Sequence, residues 1–197
     1  EVDDGSSRSL GFANQRWCTL TKFTTVSNGA TIHKLAAYRH NYLSRAVKGS
    51  ANDYRDVFDL VDAANTPQGP GFVANMEALV DMEQWMRTFA VHHTAGDWDH
   101  FGSQNSQNMY GYKPTEGRWQ LMIWDMNIVL GNSGSWAAGQ NLFVSSGGGP
   151  NMDKIYANPV FRRMYLRAWK ELCNGAFLPA NLDPLVDGKF NAYAASG

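Results

Sequence analysis

Two short alternating runs, Asn108–Lys113 and Arg118–Trp124, are separated by the turn-forming quartet Pro114-Thr115-Glu116-Gly117. In the second run Trp119, Leu121 and Ile123 alternate with Gln120, Met122 and Trp124, the period of a strand with two distinct faces. The pattern predicts a tight hairpin, and a tight hairpin brings the chain back to where it entered. Residues just before its first strand and just after its second must therefore meet.

Around this hairpin the chain reads as helix. Asn52 or Asp53 can cap a helix to about Ala64, with Tyr54, Val57, Phe58, Val61 and Ala64 on one face. Thr66-Pro67 and Gly69-Pro70-Gly71 end it, and a short helix follows near Phe72–Leu79. Asp81 with Gln84 three residues on forms a helix-start signature, ahead of an apolar stripe of Trp85, Met86, Phe89 and Ala90. Asn158-Pro159 starts another helix through Phe161, Met164, Tyr165, Ala168 and Leu172, which Asn174-Gly175 stops. Asp183–Ala195 reads as one more. Residues 17–26 read as extended before the turn signal Asn28-Gly29, residues 92–108 as a polar loop, and residues 131–150 as a mobile Gly/Ser loop. The expected fold class is α+β, mostly helical with a small antiparallel β-hairpin.

Composition narrows the function. At 197 residues the chain suits one domain with a real core, and 44% hydrophobic against 18% charged residues excludes wholesale disorder. Seventeen basic and eighteen acidic side chains leave a net charge of -1, which argues against a nucleic-acid partner. No apolar run approaches the roughly 18 residues of a transmembrane segment. Seven Trp and eight Tyr suggest a large aromatic core or a site that stacks flat ligands. The expected organisation is a polar arm or incomplete segment over residues 1–16 and one subdomain over 17–197. The start at Glu1, without Met or signal peptide, reads as a mature form or an excised piece. Cys18 and Cys173 could close a long loop as a disulfide or stand as two thiols.

The chemistry-bearing residues gather about the hairpin. Asp99 precedes it, Asn108 opens it and Asp125 follows it. Two carboxylates and an amide are hard oxygen donors, suited to Mg²⁺ or Mn²⁺ rather than zinc. Such a set can hold a metal against phosphate oxygens while one Asp orients an attacking hydroxyl. Trp98 and Trp124, next to the two aspartates, are the aromatic residues placed to wall a site.

The run Gly96-Asp97-Trp98-Asp99, Asn108-Met109-Tyr110-Gly111-Tyr112, Gly117-Arg118-Trp119 and Trp124-Asp125-Met126-Asn127 to Gly131 resembles the spore coat protein H (CotH) kinase family. That family shows a G-N-W-D loop, an N-x-Y-x-Y strand, a G-x-W strand and a W-D-x-D ending. Asp81-Met82-Glu83-Gln84-Trp85 upstream and Asn158-Pro159-Val160-Phe161-Arg162 downstream extend the similarity over roughly residues 30–190. The resemblance implies an atypical protein-kinase-like C-terminal lobe, with ATP and Mg²⁺ (or Mn²⁺) as cofactors. It implies a protein substrate bearing a Ser or Thr hydroxyl and a bacterial protein, secreted or in the cell envelope. By motif position, Asp99 is the implied catalytic base, and Asn108, Asp125 and Asn127 are the implied metal and nucleotide ligands. Trp124 is the aromatic placed beside the nucleotide. Two positions depart from the family pattern: Asn127 stands where the ending has its second Asp, and Asp97 where the loop has Asn. No glycine-rich phosphate loop precedes Lys22 or Lys34, which match a phosphate-binding lysine by type alone.

Two other readings remain open on the sequence. One is a non-catalytic surface or adhesion module that keeps the fold. The other is a metal-dependent hydrolase built on His92, His93, Asp97, Asp99 and His100. A serine hydrolase lacks its G-x-S-x-G elbow, and Ser145-Ser146-Gly147-Gly148-Gly149-Pro150 lacks the lysine of a P-loop.

Overall fold

The Asp81 signature opens the central helix of the protein. In the computed structural model, which describes residues 20–42, 50, 52–103, 108–132, 134, 136–143 and 150–196, Asp81 accepts a hydrogen bond from the Gln84 amide at 3.1 Å. The helix it caps, Met82–Thr94, buries Trp85, Met86, Phe89 and Ala90, the stripe that the spacing predicts. It also buries His92 and His93, so these two end the helix and the polar loop starts later than their polarity suggests.

In chain order the described elements are β1 (Thr24–Ser27), β2 (Ala30–His33), α1 (Leu35–Asn41), α2 (Arg55–Ala64), α3 (Pro70–Leu79) and α4 (Met82–Thr94). Then come β3 (Met109–Tyr112), β4 (Gln120–Ile123), α5 (Pro150–Ala157), α6 (Pro159–Asn174) and α7 (Pro179–Ser196). The fold class is α+β and mostly helical, with two antiparallel two-stranded sheets among the described residues. The first of these, β1 with β2, turns at Asn28-Gly29, where both residues take positive φ. That conformation is accessible to Asn and Gly and suits a two-residue hairpin turn. β2, α1 and α5 are elements that the sequence reading does not anticipate.

The α4–α6 pair is the most extensive helix contact. α6 starts as expected: the Asn158 side chain accepts from the Val160 amide at 3.0 Å, and Pro159 occupies the first turn. Its Phe161, Tyr165 and Ala168 are buried, with Tyr165 against His93 of α4 and Phe161 against Phe72 of α3. Across the rim of that contact, Arg87 pairs with Glu171 and Arg167 with Glu83. These pairs are half-exposed, so they add little beyond fixing the rotation of the two helices.

Around α2 and α5 the core is closed by polar clamps. Asn65 and Asn151 both donate to the Leu20 carbonyl at 2.8 Å. Lys154 donates to the carbonyls of Ala64 and Thr66, closing the end of α2. α2 itself begins at Arg55, whose amide donates to Asp53. α7 forms over the expected stretch and a little beyond, but none of its residues is buried. The polar arm over residues 1–16 and Cys18 lie outside the described residues, as does part of the Gly/Ser loop. Cys173 is exposed near the end of α6.

Candidate functional site

The second hairpin is bolted to α4. β3 and β4 pair antiparallel with Met109 opposite Ile123 and Tyr112 opposite Gln120. Trp119 ahead of β4 exchanges bonds with the α3–α4 junction: its amide donates to Leu79 O at 2.7 Å, and its carbonyl accepts from Asp81 N at 3.0 Å. The Trp85 indole donates to the same carbonyl. One turn on, the Gln84 amide lies against Leu121 like a further strand. Its Nε2 donates to Leu121 O at 2.7 Å and its Oε1 accepts from Leu121 N at 2.9 Å. The hairpin's position is therefore set by the most buried helix of the protein, which is why its open end can carry exposed functional groups.

At that open end the Asn108 side chain donates from Nδ2 to Asp99 Oδ2 at 2.8 Å. With Met109 facing Ile123, Asn108 and Trp124 follow at the same end, and Asp125 comes next. The chain after β4 is drawn back to the turn beneath Asp97–Asp99. Leu130 N donates to Ala95 O at 2.7 Å and Trp136 N to Gly96 O at 2.6 Å. The structure thus joins Asp99 to Asn108 directly. It brings Asp125 and Asn127 to the same end of the hairpin through backbone geometry, with Asn127 N bonded to Asp125 O at 2.9 Å. Asp125 and Asn127 are exposed, and Asp99 and Asn108 half-buried. Trp124 is exposed and meets Tyr110 edge-to-face at 5.3 Å, so Tyr110 and Met122 share its side of the hairpin.

Asn108 and Asp125 both hold φ near +55°, at 54° and 56°. Asn and Asp are the L-residues that tolerate this left-handed conformation best. The chain leaves the hairpin sharply at each end, and those bends set the two side chains.

The profile of the CotH kinase protein family matches residues 24–192. The chain belongs to the CotH kinase family. No curated protein and no solved structure matches it. The match takes in every element from β1 onward into α7, so in this CotH chain the Asp99–Asn108 contact and the β3–β4 hairpin lie inside the family domain.

The donor set around the hairpin fits a hard cation. Asn108 uses Nδ2 for the bond to Asp99, and its other side-chain polar atom is an amide oxygen, a hard donor. Asp125 adds an exposed carboxylate and Asn127 a neutral amide oxygen. All are oxygen donors of the kind that bind Mg²⁺.

The histidine cluster is a buried packing unit rather than an open zinc site. Among the described residues no three His, Cys, Asp or Glu side chains are grouped as metal ligands. His92, His93, Asp97 and His100 are buried; each histidine bonds through Nδ1, and the Nε2 of all three is buried without a hydrogen-bond partner among the described residues. Asp97 accepts from His92 Nδ1 at 2.6 Å and from the Asp99 amide at 2.9 Å. His100 stacks on His92 at 4.4 Å and accepts from Gly102 N at 3.0 Å. His93 donates to the Tyr165 hydroxyl, which donates in turn to Leu142 O. Burial, then the neighbouring His92, pushes the His93 pKa down to about 3. Burial, then His93 and His92, pushes His100 well below its usual range. Both rings are neutral core residues. Asp97, the departure from the family's Asn, faces inward and adds no charge to the open face.

Lys22, matched by type alone, is paired with Asp62 on α2 at 2.9 Å, and His33 shares that carboxylate oxygen. Gln84 is the residue that sequence reading missed at the site, and the pairing of His92 with Asp97 is the contact it missed. Gln84 carried the signal of a helix start and hid its second role. His92 and Asp97 read as loop polarity or as members of a metal set, not as a buried pair.

Proposed function

We propose that this CotH domain is the catalytic part of an atypical protein kinase, transferring the ATP γ-phosphate to a Ser or Thr hydroxyl. The observation that carries the reading is the 2.8 Å bond from Asn108 to Asp99 at the mouth of a hairpin whose other strand runs out at Asp125. Loop Asp, amide, two strands, second Asp is the order in which kinases arrange base and metal ligands.

In this reading Asp99 accepts the proton of the attacking hydroxyl, and the Asn108 amide fixes the carboxylate's rotation. Asp125, Asn108 and Asn127 hold Mg²⁺. When bound, Mg²⁺ neutralises charge on the phosphate oxygens. Trp124, Tyr110 and Met122 present a flat apolar face beside these ligands, suited to a nucleobase. The protein substrate and a bacterial location outside the cytoplasm, secreted or in the envelope, belong to the same proposal. Among the described residues no helix is long and apolar enough to cross a membrane.

Asn127 favours a second reading, a surface module that keeps the fold without phosphotransfer, because it removes one negative charge from the metal set. Calorimetric titration with Mg²⁺-ATP separates the two. Binding lost in Asp125→Ala, with phosphotransfer lost in Asp99→Ala, supports the kinase. Phosphotransfer that persists in Asp99→Ala refutes the role given to that residue.

A further inference from the structure

Asp97 is buried completely, yet one of its oxygens holds the backbone of the residue assigned as base. Its Oδ2 accepts from His92 Nδ1 at 2.6 Å, and its Oδ1 accepts from Asp99 N at 2.9 Å. The Asp97 amide donates to His92 O at 2.9 Å, so the residue is tied to the last turn of α4 by main chain and side chain together. His92 is itself held by the stacked His100 ring, and Phe89 lies against His100 from the preceding turn of α4. An unbroken series of contacts therefore runs from the core through His92 and Asp97 to Asp99, and from Asp99 to Asn108.

We propose that His92 and Asp97 are positioning residues for Asp99. They transfer the rigidity of α4 to the loop, so that the Asp99 carboxylate is presented at a fixed height above the hairpin mouth. The proposal rests on the reading of Asp99 as the base for its catalytic consequence, but its structural half can be measured independently. A buried carboxylate is costly unless both oxygens are bonded. Here one partner is a core imidazole and the other is the loop itself, so the loop conformation satisfies the carboxylate. That gives a physical reason for the loop to hold a single geometry. Asn at this position would retain an oxygen for the Asp99 amide, whereas Ala would retain none.

The test uses amide hydrogen exchange by NMR together with kinetics on the full chain. In Asp97→Ala the Asp99 amide loses a charge-assisted acceptor, and its exchange should quicken by about tenfold or more while α4 amides keep their protection. A misplaced base should lower kcat by about 100-fold and leave the KM for ATP within about threefold of wild type. Asp97→Asn should restore both the slow exchange and most of kcat. His92→Phe keeps an aromatic ring, although a larger one, removes the donor and should quicken Asp99 exchange as Asp97→Ala does. It also serves if Asp97→Ala fails to fold.

Unchanged Asp99 exchange in the folded variants overturns the proposal. So does an Asp97→Asn as impaired as Asp97→Ala, since that would mark a general packing defect. A wild-type chain that transfers no phosphate refutes the kinase reading instead, and the exchange data alone then decide the positioning.

Discussion

Gln84→Leu should destabilise the protein more than its half-buried position suggests. The Gln84 amide satisfies both the N–H and the C=O of Leu121, at 2.9 and 2.7 Å, and Leu121 is only 6% exposed. Leucine conserves much of the volume and none of the bonding. Each backbone group left without a partner in such a place costs about 1–3 kcal/mol. Water at the edge of the hairpin recovers part of this, so a net loss of about 2–4 kcal/mol is expected. For a chain of this length that is a fall in Tm of roughly 5–15 °C. Urea unfolding followed by tryptophan fluorescence would measure it directly.

Gln84→Glu supplies a second arm. The introduced carboxylate can still accept from Leu121 N, but it sets an oxygen against Leu121 O. Protonation restores a donor. The folded state therefore raises this carboxyl's pKa, and the stability it contributes is present at low pH and lost as pH rises through that pKa. Relative to wild type at each pH, Gln84→Glu should recover on acidification while Gln84→Leu does not. A loss below about 0.5 kcal/mol in Gln84→Leu would refute the claim that this side chain anchors the hairpin.

Three further outcomes follow from the core. His93 is held neutral with a pKa near 3 against an ordinary 6.5, so the unfolded chain binds its proton first. Stability should be level above pH 6.5 and decline below it by about 1.4 kcal/mol per pH unit, with His100 adding in the same direction; urea midpoints at pH 7 and 5.5 check this. Gly102→Ala would place a Cβ 2.3 Å from the buried Phe89 ring and should cost about 1–3 kcal/mol, read as a lower calorimetric Tm. Tyr156→Phe removes the hydroxyl that donates to Gly102 O at 2.7 Å and should cost about 1–2 kcal/mol in urea unfolding.

Helix starts were legible because they are local chemistry. Asp81 caps α4 and Asn158 caps α6 through bonds to residues three and two positions away. The same locality marks the limit. The reciprocal bond expected from Gln84 to the Asp81 amide does not form, because Trp119 O already takes that amide and Gln84 turns to Leu121. That competition is settled by a strand some 35 residues away, which no local pattern contains.

Polarity also misleads where a core is built from imidazoles. His92, His93 and His100 read as a solvated loop or a zinc set, yet they pack with Phe89, Tyr156 and Tyr165 and bond to one another's neighbours. α5 was hidden behind a Gly-rich run, and its Asn151 and Lys154 are buried or half-buried by capping other elements. Hairpin logic predicts that Asp99, Asn108 and Asp125 converge; the structure bonds Asn108 to Asp99, both on the entering side, and places Asp125 at the same end through the β3–β4 register. The inward turn of Asp97 depends on His92, five residues back and on a different element, and so escaped it.

The left-handed backbone at residue 125 bears on how such a domain can change over evolutionary time. Asp, Asn and Gly are at ease at φ 56°, whereas longer acidic side chains are not. Replacing Asp125 by Asn would discharge the position without disturbing the bend, whereas Glu would keep the charge and strain the chain. Silencing the proposed metal set is thus conformationally easier than relocating its charge. If the proposed kinase reading holds, a lineage with this architecture can shed activity one amide at a time while continuing to fold, and Asn127 stands two residues from that bend.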